Sequence, residues 1–188
     1  MNPLSLDSRL ETERLVLRCP LVEDVDFIFD ASRYPGFNDG MLWDPPESKD
    51  ECREVFHTTM ENWQEGSAYV FTIELKSDST PIGRIAVEER SCGSSVGFWT
   101  HPKHQSFGYM TEALRRLLCL CFEELELKKI EACHAVWNVA SRRVLEKCGF
   151  RFKCHLEEGF QKNGEWVPED RLSISLDQWN DLQRSLES

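Results

Sequence analysis

The segment Thr100-His-Pro-Lys-His-Gln105-Ser-Phe-Gly108-Tyr-Met-Thr-Glu112 is the most informative part of this chain of 188 residues. It leads from the end of a predicted strand, past Pro102, into a helix that begins at Gly108. The first N–H groups of a helix have no partner inside the helix and carry partial positive charge, so they can bind a phosphate group. Gly108 has no Cβ, which allows backbone and ligand to approach closely. Taken alone, however, the segment favours an ordinary strand-to-helix turn.

A second segment, Asn138-Val-Ala-Ser141-Arg-Arg-Val-Leu145-Glu-Lys-Cys-Gly149-Phe150, follows the next predicted strand. Ligands of α/β sheets tend to lie at the carboxyl ends of the strands. The Asn138 amide can donate to and accept from an amide-containing ligand. Asn138 and Ser141 can also cap the helix that follows, and capping is compatible with ligand binding. The two segments together predict a ligand site at this end of the sheet.

Hydrophobic periodicity and turn residues predict about seven strands and about four helices. The predicted strands are 15–18, 69–75, 81–88, 95–100, 129–137, 152–156 and 171–176. The predicted helices are 22–31, 48–64, 108–125 and 139–148. A run of strands followed by strand, helix and strand is typical of a mixed α/β sheet. No repeat or long linker divides the chain, so we predict a single domain over residues 1–188.

The formal net charge of −11 makes nucleic acid a poor partner, because an acidic surface repels phosphate backbones. It suits a cationic substrate such as an amine, although many soluble proteins are acidic without binding one. The N-terminus has no signal-peptide pattern. The longest apolar run has about six residues, far short of the ~20 that span a bilayer. We therefore predict a cytoplasmic protein with no membrane partner.

The eight cysteines indicate a reducing environment. They are Cys19, Cys52, Cys92, Cys119, Cys121, Cys133, Cys148 and Cys154. Most of them lie in apolar runs, where free thiols behave as small hydrophobic side chains. No two of them form a Cys-x-x-Cys pair, so no metal site is predicted. A disulfide framework is the alternative.

Five segments in order resemble the GCN5-related N-acetyltransferase (GNAT) superfamily, and more closely its RimJ/RimL-like branch, named for the ribosomal-protein acetyltransferases that modify protein N-termini. The segments are 10–18, 96–99, 108–113, 138–150 and 170–179. The resemblance implies an α/β GNAT fold, with a mixed sheet splayed between strands 4 and 5. It also implies that acetyl-CoA is the acetyl donor, and that a primary amine, on a protein N-terminus or a small molecule, is the acceptor.

The resemblance further implies which residues bind coenzyme A. They are Phe98, Trp99, Thr100, Gln105, Ser106, Phe107, Gly108, Tyr109, Met110, Thr111 and Asn138. The family's phosphate loop reads Gln/Arg-x-x-Gly-x-Gly/Ala, which Gln105 and Gly108 match. Met110 replaces the final small residue, and Phe107 stands where a basic residue is frequent. Three cationic residues are candidates to bind the adenosine phosphates: Lys103, Arg142 and Arg143. The alternative is that they are solvated surface charges.

The resemblance also bears on catalysis. Leu145 stands where much of the superfamily carries a tyrosine general acid. The branch that acetylates protein N-termini instead has a serine three residues after the asparagine, which Ser141 matches, so the resemblance implies that Ser141 donates a hydrogen bond to the leaving sulfur. Ser95 stands where a glutamate base is frequent in the fourth strand. The substitutes are Glu88, Glu89 or a chain of water molecules, and both glutamates also fit solvated strand ends.

Two other functions remain open on the sequence. The second hypothesis is a non-catalytic module that binds acyl-CoA as a sensor, which the departures from the family pattern at Ser95 and Met110 would suit. The third hypothesis is an interaction domain without cofactor. Acceptor specificity is expected in the loop 33–47 and the hairpin 157–170. Three aromatic residues there are candidates to line the acceptor site or only to pack: Trp43, Phe160 and Trp166. The protein is expected to be a monomer or a homodimer.

Overall fold

The computed structural model describes residues 1, 3–91 and 93–187, and its centre is one mixed sheet of eight strands. The strands are β1 (Arg9–Glu11), β2 (Leu15–Arg18), β3 (Ala68–Leu75), β4 (Pro81–Arg90), β5 (Gly93–Thr100), β6 (Lys129–Ala135), β7 (Arg151–Lys162) and β8 (Glu165–Ser175). Their order in the sheet is β1-β2-β3-β4-β5-β6-β8-β7. Neighbouring strands are antiparallel except β5 and β6, which are parallel. The predicted mixed α/β sheet is thereby confirmed.

Five α-helices accompany the sheet in the described residues. They are α1 (Asp24–Ser32), α2 (Lys49–Glu65), α3 (Tyr109–Cys119), α4 (Val139–Lys147) and α5 (Leu176–Glu187). The chain forms a short 3₁₀ turn before α3 and a π-helical turn directly after it. The α2 boundaries follow the predicted signals, because Ser48 accepts a hydrogen bond from the Glu51 N–H at 3.2 Å and Gly66 takes φ = 71°.

The core is one cluster of buried apolar side chains, to which strands and helices both contribute. Phe71 on β3 and Ile85 on β4 are directly opposite each other and fully enclosed. Along α3 the buried positions recur every three or four residues, as a helix packed by one face requires. They are Met110, Ala113, Leu114, Leu117 and Leu118. This packing fixes the start of α3 beside the end of β5.

The structure corrects the sequence prediction in three places. The sheet has eight strands rather than about seven, because residues 9–11 pair with β2 as β1. There are five helices rather than about four, because α5 follows β8 directly and buries Trp179 against Phe122 at a ring separation of 5.8 Å. The strand predicted over 129–137 ends at Ala135, since the next two residues turn towards α4.

The expected hairpin over 157–170 consists mostly of strand, because β7 and β8 are longer than the predicted strands 152–156 and 171–176. β7 ends at Lys162, β8 begins at Glu165, and the two strands pair across a tight turn at Asn163-Gly164. Both turn residues have positive φ, of 51° and 81°, which asparagine and glycine tolerate. The final hairpin is therefore a two-stranded ribbon that projects past the end of β6.

The cysteines that the structure describes are free thiols, and Cys19, Cys52, Cys121 and Cys148 are buried. Cys92 lies outside the described residues. Burial raises the pKa of the Cys148 thiol to about 12, so this thiol stays neutral. Within the described ranges no helix is both long and apolar enough to cross a membrane. The same residues contain no cluster of three or more His, Cys, Asp or Glu that could hold a metal ion.

Candidate functional site

The sheet opens between β5 and β6. The two strands are paired only at Ser94 with Ile130 and at Ser95 with Glu131, and they diverge beyond these residues. This confirms the predicted splay between strands 4 and 5, which are β5 and β6 here because β1 precedes them. A cleft of about 1620 Å³ occupies the opening. This is larger than the ~300–1,000 Å³ of most small-molecule pockets.

The start of α3 forms one wall of the cleft and leaves its N–H groups uncapped. Gly108 is the N-cap residue, with φ = 81°, and no side chain caps the helix within the described structure. Ser106 also has positive φ, at 68°, and the Gln105 amide donates to the Thr100 carbonyl at 3.2 Å. The predicted binding residues of β5, this loop and the first turn line the cleft, with one exception. Phe107 points out to solvent with 60% of its surface exposed.

Arg14, in the turn between β1 and β2, is a loop contact that the sequence did not reveal. Its guanidinium donates to the Phe107 carbonyl at 3.2 Å and lies 4.6 Å from the centre of the Tyr109 ring. It also forms a salt bridge with Glu112 at 2.7 Å. Burial acts to raise the pKa of the Glu112 carboxyl, but hydrogen bonds from Thr12 and Arg14 lower it overall. Arg14 therefore holds the loop in place from the turn before β2.

The three cations named for the adenosine phosphates are arranged differently. Lys103 lies 3.9 Å from Asp30 and over the ring of Tyr34, on the α1 side. Arg142 is paired with Glu146 at 2.7 Å along α4. Arg143 lines the cleft and is exposed. Of the three, the geometry favours Arg143.

Met110 does not obstruct the phosphate loop in the way that its size suggests. Its side chain is buried in the hydrophobic core, although the residue also borders the cleft. The backbone N–H groups of the first turn do not depend on the side chain at this position. Met110 therefore replaces the family's small residue without obstructing the loop, because its side chain packs in the core.

Asn138 and Ser141 form the opposite wall of the cleft, at the start of α4. The Ser141 N–H donates to the Asn138 side-chain oxygen at 3.1 Å, so the predicted capping is present. Both residues are half-buried and line the cleft. The Ser141 hydroxyl makes no hydrogen bond within the part of the chain that the structure describes. The cap leaves the Asn138 NH₂ group and the Ser141 hydroxyl available to a ligand.

His134 on β6 is a cleft residue that the sequence reading missed. Its Nδ1 lies 2.8 Å from the Ala135 carbonyl oxygen, which can only accept, so Nδ1 carries the hydrogen. In the neutral ring, Nε2 is then an acceptor. Nε2 is buried and lacks a partner among the described residues. The sequence did contain a signal for this residue, namely a polar imidazole ring within the buried strand that leads to Asn138.

The two glutamates named as bases are in different surroundings. Glu88 lines the cleft, is paired with Arg90, and lies 3.4 Å from the Ser95 hydroxyl. Glu89 is exposed and binds the N-terminal ammonium of Met1 at 2.7 Å. Because β4 and β5 are paired at these two residues, Glu88 and Ser95 lie on the same face of the sheet. Glu88 is therefore the better candidate for a base.

The loop 33–47 covers the cleft from the acceptor side. Trp43 and Phe160 line the cleft, whereas Trp166 lies outside it and is half exposed. The Lys162 ammonium donates to the carbonyl of Trp43 and to the Asp44 carboxylate, both at 2.7 Å. These contacts tie the β7–β8 hairpin to the loop, so the two segments predicted to govern specificity act on one opening.

Comparisons with known proteins agree with this geometry. The family model described as acetyltransferase (GNAT) domain matches residues 14–151. YdaF of Bacillus subtilis (strain 168), whose name gives it an inferred ribosomal N-acetyltransferase activity, is 34% identical over 127 residues. That match covers 65% of this chain and 65% of YdaF, so the chain spans just under two thirds of the length of that relative.

Solved structures have the same fold. A Vibrio cholerae structure, described as an inferred ribosomal-protein-serine acetyltransferase, superimposes with a TM-score of 0.79 at 26% identity. The superposition covers 92% of this chain and 99% of that one. A RimL structure, described as a ribosomal L7/L12 alpha-N-protein acetyltransferase, has a TM-score of 0.82 at 17% identity, covering 91% and 99% of the two chains, which shows the shared fold. With the cleft, the sheet order and the family match in agreement, the chain belongs to the GNAT acetyltransferase family, and its likeness to YdaF and the Vibrio protein is in line with the RimJ/RimL-like branch.

Proposed function

We propose that this protein is an N-acetyltransferase that moves the acetyl group of acetyl-CoA to a primary amine. The observation that supports this most is the opening between β5 and β6, with the uncapped start of α3 on one side and Asn138 and Ser141 on the other. A ligand with a phosphate end and an amide-rich arm matches these walls chemically. Residues 1–188 act as one domain in this proposal, because all eight strands belong to one sheet.

The chain's own residues fit such a ligand. The N–H groups of Gly108, Tyr109 and Met110 are available to a pyrophosphate, with Arg14 beside them. Beyond Ser95, the edge of β5 that faces β6 is free to bond an amide-containing arm as an added strand would. The buried Nε2 of His134 lacks a donor, and an amide N–H would supply one. These features lead from the start of α3 into the cleft.

Bound acetyl-CoA would supply a thioester, whose acetyl group passes to the amine while the thiol leaves. The protein then has three tasks: it must stabilise developing charge on the carbonyl oxygen, protonate or hydrogen-bond the sulfur, and accept a proton from the amine. The N–H of Phe98, on the open edge of β5, is our candidate for the first task. The other two tasks fall to side chains on the cleft walls.

Ser141 is the residue that we assign to the sulfur. Its hydroxyl lines the cleft and is not used in capping, because the cap uses the Ser141 N–H and the Asn138 oxygen. Leu145 is fully buried, so no acid acts from that position. Serine is a weak acid, and its task here is to orient the leaving group and to relay a proton.

Glu88 is the residue that we assign to the amine proton. It lies next to Ser95, within 3.4 Å of its hydroxyl, so a serine or an ordered water can carry the proton between amine and carboxylate. It also forms a salt bridge with Arg90. In this proposal Glu88 on β4 takes the role of the glutamate that is frequent at the position of Ser95 on β5.

The acceptor is a primary amine, either a protein N-terminus or a small molecule. Residues of the loop 33–47 and of the β7–β8 hairpin both line the cleft, so an acceptor that enters there meets both segments. The ribosomal-protein activities in the names of YdaF and the Vibrio protein also favour a protein N-terminus.

A thiol-release assay tests the proposal. Acetyl-CoA is mixed with the protein and a panel of small amines and short peptides with different first residues. Release of free thiol and an acetylated product is expected, and Ser141→Ala should lower kcat by about 10²-fold. Calorimetry should give the same affinity for coenzyme A in this variant, because the hydroxyl acts on the sulfur during transfer.

Ser77→Ala, in the exposed turn between β3 and β4, is the matched control and should behave as the wild type. A thermal shift with acetyl-CoA but no transfer to any amine would favour the non-catalytic acyl-CoA-binding module instead. If the cofactor produced no thermal shift either, an interaction domain would be the better reading and the proposal would be wrong.

A further inference from the structure

Arg84 on β4 is a cationic side chain inside the cleft that the proposed chemistry does not use. It lies directly across from Thr72 on β3 and from Trp99 on β5, so the three side chains share one face of the sheet. That face is turned to α1, because the Thr72 hydroxyl donates to Asp24 at 2.7 Å and the Trp99 ring stacks on Phe27 at 5.2 Å. Arg84 is half-buried there and borders the cleft.

The guanidinium of Arg84 has no ion-pair partner among the described residues. Its Nε atom is buried and makes no hydrogen bond within them. The carboxylate beside it, Asp24, is already occupied by both terminal nitrogens of Arg18, at 2.9 and 2.7 Å. Asp24 also accepts from Thr72 and from the Leu21 N–H. These four hydrogen bonds all come from other groups, and none comes from Arg84.

Besides Asp24, the groups that act on the charge of Arg84 are the cation Arg18 and two neutral thiols. The thiols of Cys19 and Cys52 are close enough to act on its charge, and burial raises the pKa of both, so neither supplies a counter-anion. Burial lowers the pKa of Arg84 itself to about 10, although Asp24 acts in the opposite direction. An arginine at this pKa is still charged at neutral pH. The cleft therefore contains a positive charge that forms no ion pair with any side chain of the described residues.

We infer that Arg84 binds a carboxylate group of the acceptor, so that the preferred substrate is an amine that also carries a carboxylate. This inference rests on the acetyltransferase function proposed above. A guanidinium offers a planar fork of N–H donors that matches a carboxylate, and its unpaired Nε–H adds a further donor. Binding such an acceptor supplies the missing counter-charge.

A single negative charge fits this place better than a phosphate dianion. The same cleft is lined by the carboxylates of Glu88 and Glu169, which repel a second negative charge. Both of these are paired with their own arginines, Arg90 and Arg171, so neither of those cations is free for the ligand. Arg84 is on β4, which neighbours β5 in the sheet, and neighbouring strands are about 4.8 Å apart. The carboxylate and the reacting amine are thus separated by a few bonds, as in an amino acid or an acidic first residue.

Matched acceptors test this inference. Amino acids are compared with their amides, and peptides beginning with Asp with those beginning with Asn, which separates an α-carboxylate from a side-chain carboxylate. In at least one pair the carboxylate form is expected to have a KM at least tenfold lower, equivalent to about 1.4 kcal/mol, at similar kcat. Arg84→Gln should remove that preference by raising the KM of the carboxylate form, and Arg84→Lys should keep part of it.

Arg53→Gln, which removes an exposed guanidinium on α2, is the control and should keep the full preference. A second readout needs no turnover: an N-acetylated amino acid with a free carboxylate should raise the melting temperature of the wild type more than its amide does. Arg84→Gln should abolish this difference. Without ligand, Arg84→Met should melt at a temperature no lower than the wild type, because it removes an unpaired charge from the cleft.

Equal KM values for the members of both pairs in the wild type, or a preference that survives in Arg84→Gln, would overturn the inference while leaving the acetyltransferase function intact. A carboxylate-dependent thermal shift that is lost in Arg84→Gln, without transfer to any amine, would support the carboxylate site and refute the proposed function. A lower melting temperature in both Arg84→Met and Arg84→Lys, with no loss of preference, would give Arg84 a purely structural role and overturn the inference.

Discussion

The Asp24→Asn substitution tests how α1 is held to the sheet beneath the cleft. Asp24 is 4% exposed and receives a bidentate pair of hydrogen bonds from Arg18 on β2. It also receives hydrogen bonds from Thr72 on β3 and from the Leu21 N–H. One carboxylate thus joins a helix to two strands. Phe27 of the same helix stacks on Trp99, so this joint also positions an aromatic wall of the cleft.

The expected loss of stability follows from these contacts. Removing one partner of a buried, hydrogen-bonded ion pair costs about 3–5 kcal/mol, because the other charge stays buried without compensation. Arg18 keeps its contact with Glu74 at 2.6 Å, which places the expected loss near the lower end, at about 3 kcal/mol. For a domain of this size, 1 kcal/mol shifts the melting temperature by roughly 2–4 °C. Asp24→Asn should therefore melt about 6–12 °C below the wild type.

The pH dependence gives an independent check. Burial acts to raise the pKa of the Asp24 carboxyl, but hydrogen bonds from Arg18, Leu21 and Thr72 lower it overall. A group whose pKa is lower in the folded state stabilises the fold above its unfolded pKa, about 3.9 for aspartate, and this stabilisation is lost as the pH falls through the folded value. The gap in stability between wild type and Asp24→Asn should thus be widest at neutral pH and narrow below about pH 4.

Urea unfolding followed by circular dichroism measures both effects. Asp50→Asn, which breaks an exposed pair with Arg53, is the control and should show no measurable change. A loss below about 1 kcal/mol for Asp24→Asn at neutral pH would refute the reasoning, since it would mean that the buried network contributes no more than a surface pair. An unchanged gap between the two proteins from pH 7 to pH 3 would refute the assigned pKa direction.

Three further substitutions probe the cleft and the core. His134→Phe removes the unpaired Nε2 and also the Nδ1 hydrogen bond to the Ala135 carbonyl, so thermal melting should show a loss of about 1 kcal/mol in apo stability. Calorimetry should give about fivefold weaker acetyl-CoA binding, and unchanged affinity would contradict the role of His134. Gly40→Val places a Cβ 3.0 Å from the Trp137 ring. Steady-state kinetics should then show a higher KM for the acceptor amine with little change in melting temperature, and an unchanged KM would contradict the assigned loop position. Trp179→Ala empties the space against Phe122 and should cost about 3–5 kcal/mol in urea unfolding, against less than 1 kcal/mol if α5 is not part of the core.

Most of the fold could be predicted from the sequence because local signals agree with the global arrangement. The residues Leu15–Arg18 form β2 as predicted, and Ser48 and Gly66 bound α2. The misses are at the ends. β1 has three residues, too few for a periodic pattern. α5 had a readable start, since Ser175 and Gln178 exchange hydrogen bonds as a capping box, but the strand pattern runs directly into it and hides the signal.

The candidate site could be predicted only where its residues are close in sequence or match the family. The loop around Gly108 and the Asn138–Ser141 pair were found, because backbone geometry and capping are local properties. Arg14 was not, since it reaches the loop from 93 residues away in the chain. Arg84 and His134 were missed for a related reason. What singles them out is a lack of partners, and that becomes visible only when the surrounding elements are assembled.

Hydrogen exchange with and without acetyl-CoA tests the central claim most directly, namely that the ligand lies in the opening between β5 and β6. Two segments should gain protection when acetyl-CoA is added: 96–100, on the open edge of β5, and 106–111, at the start of α3. The turn of the β7–β8 hairpin should exchange as before. Protection at a different part of the sheet, or none in either segment at saturating acetyl-CoA, would contradict the assignment of the cleft.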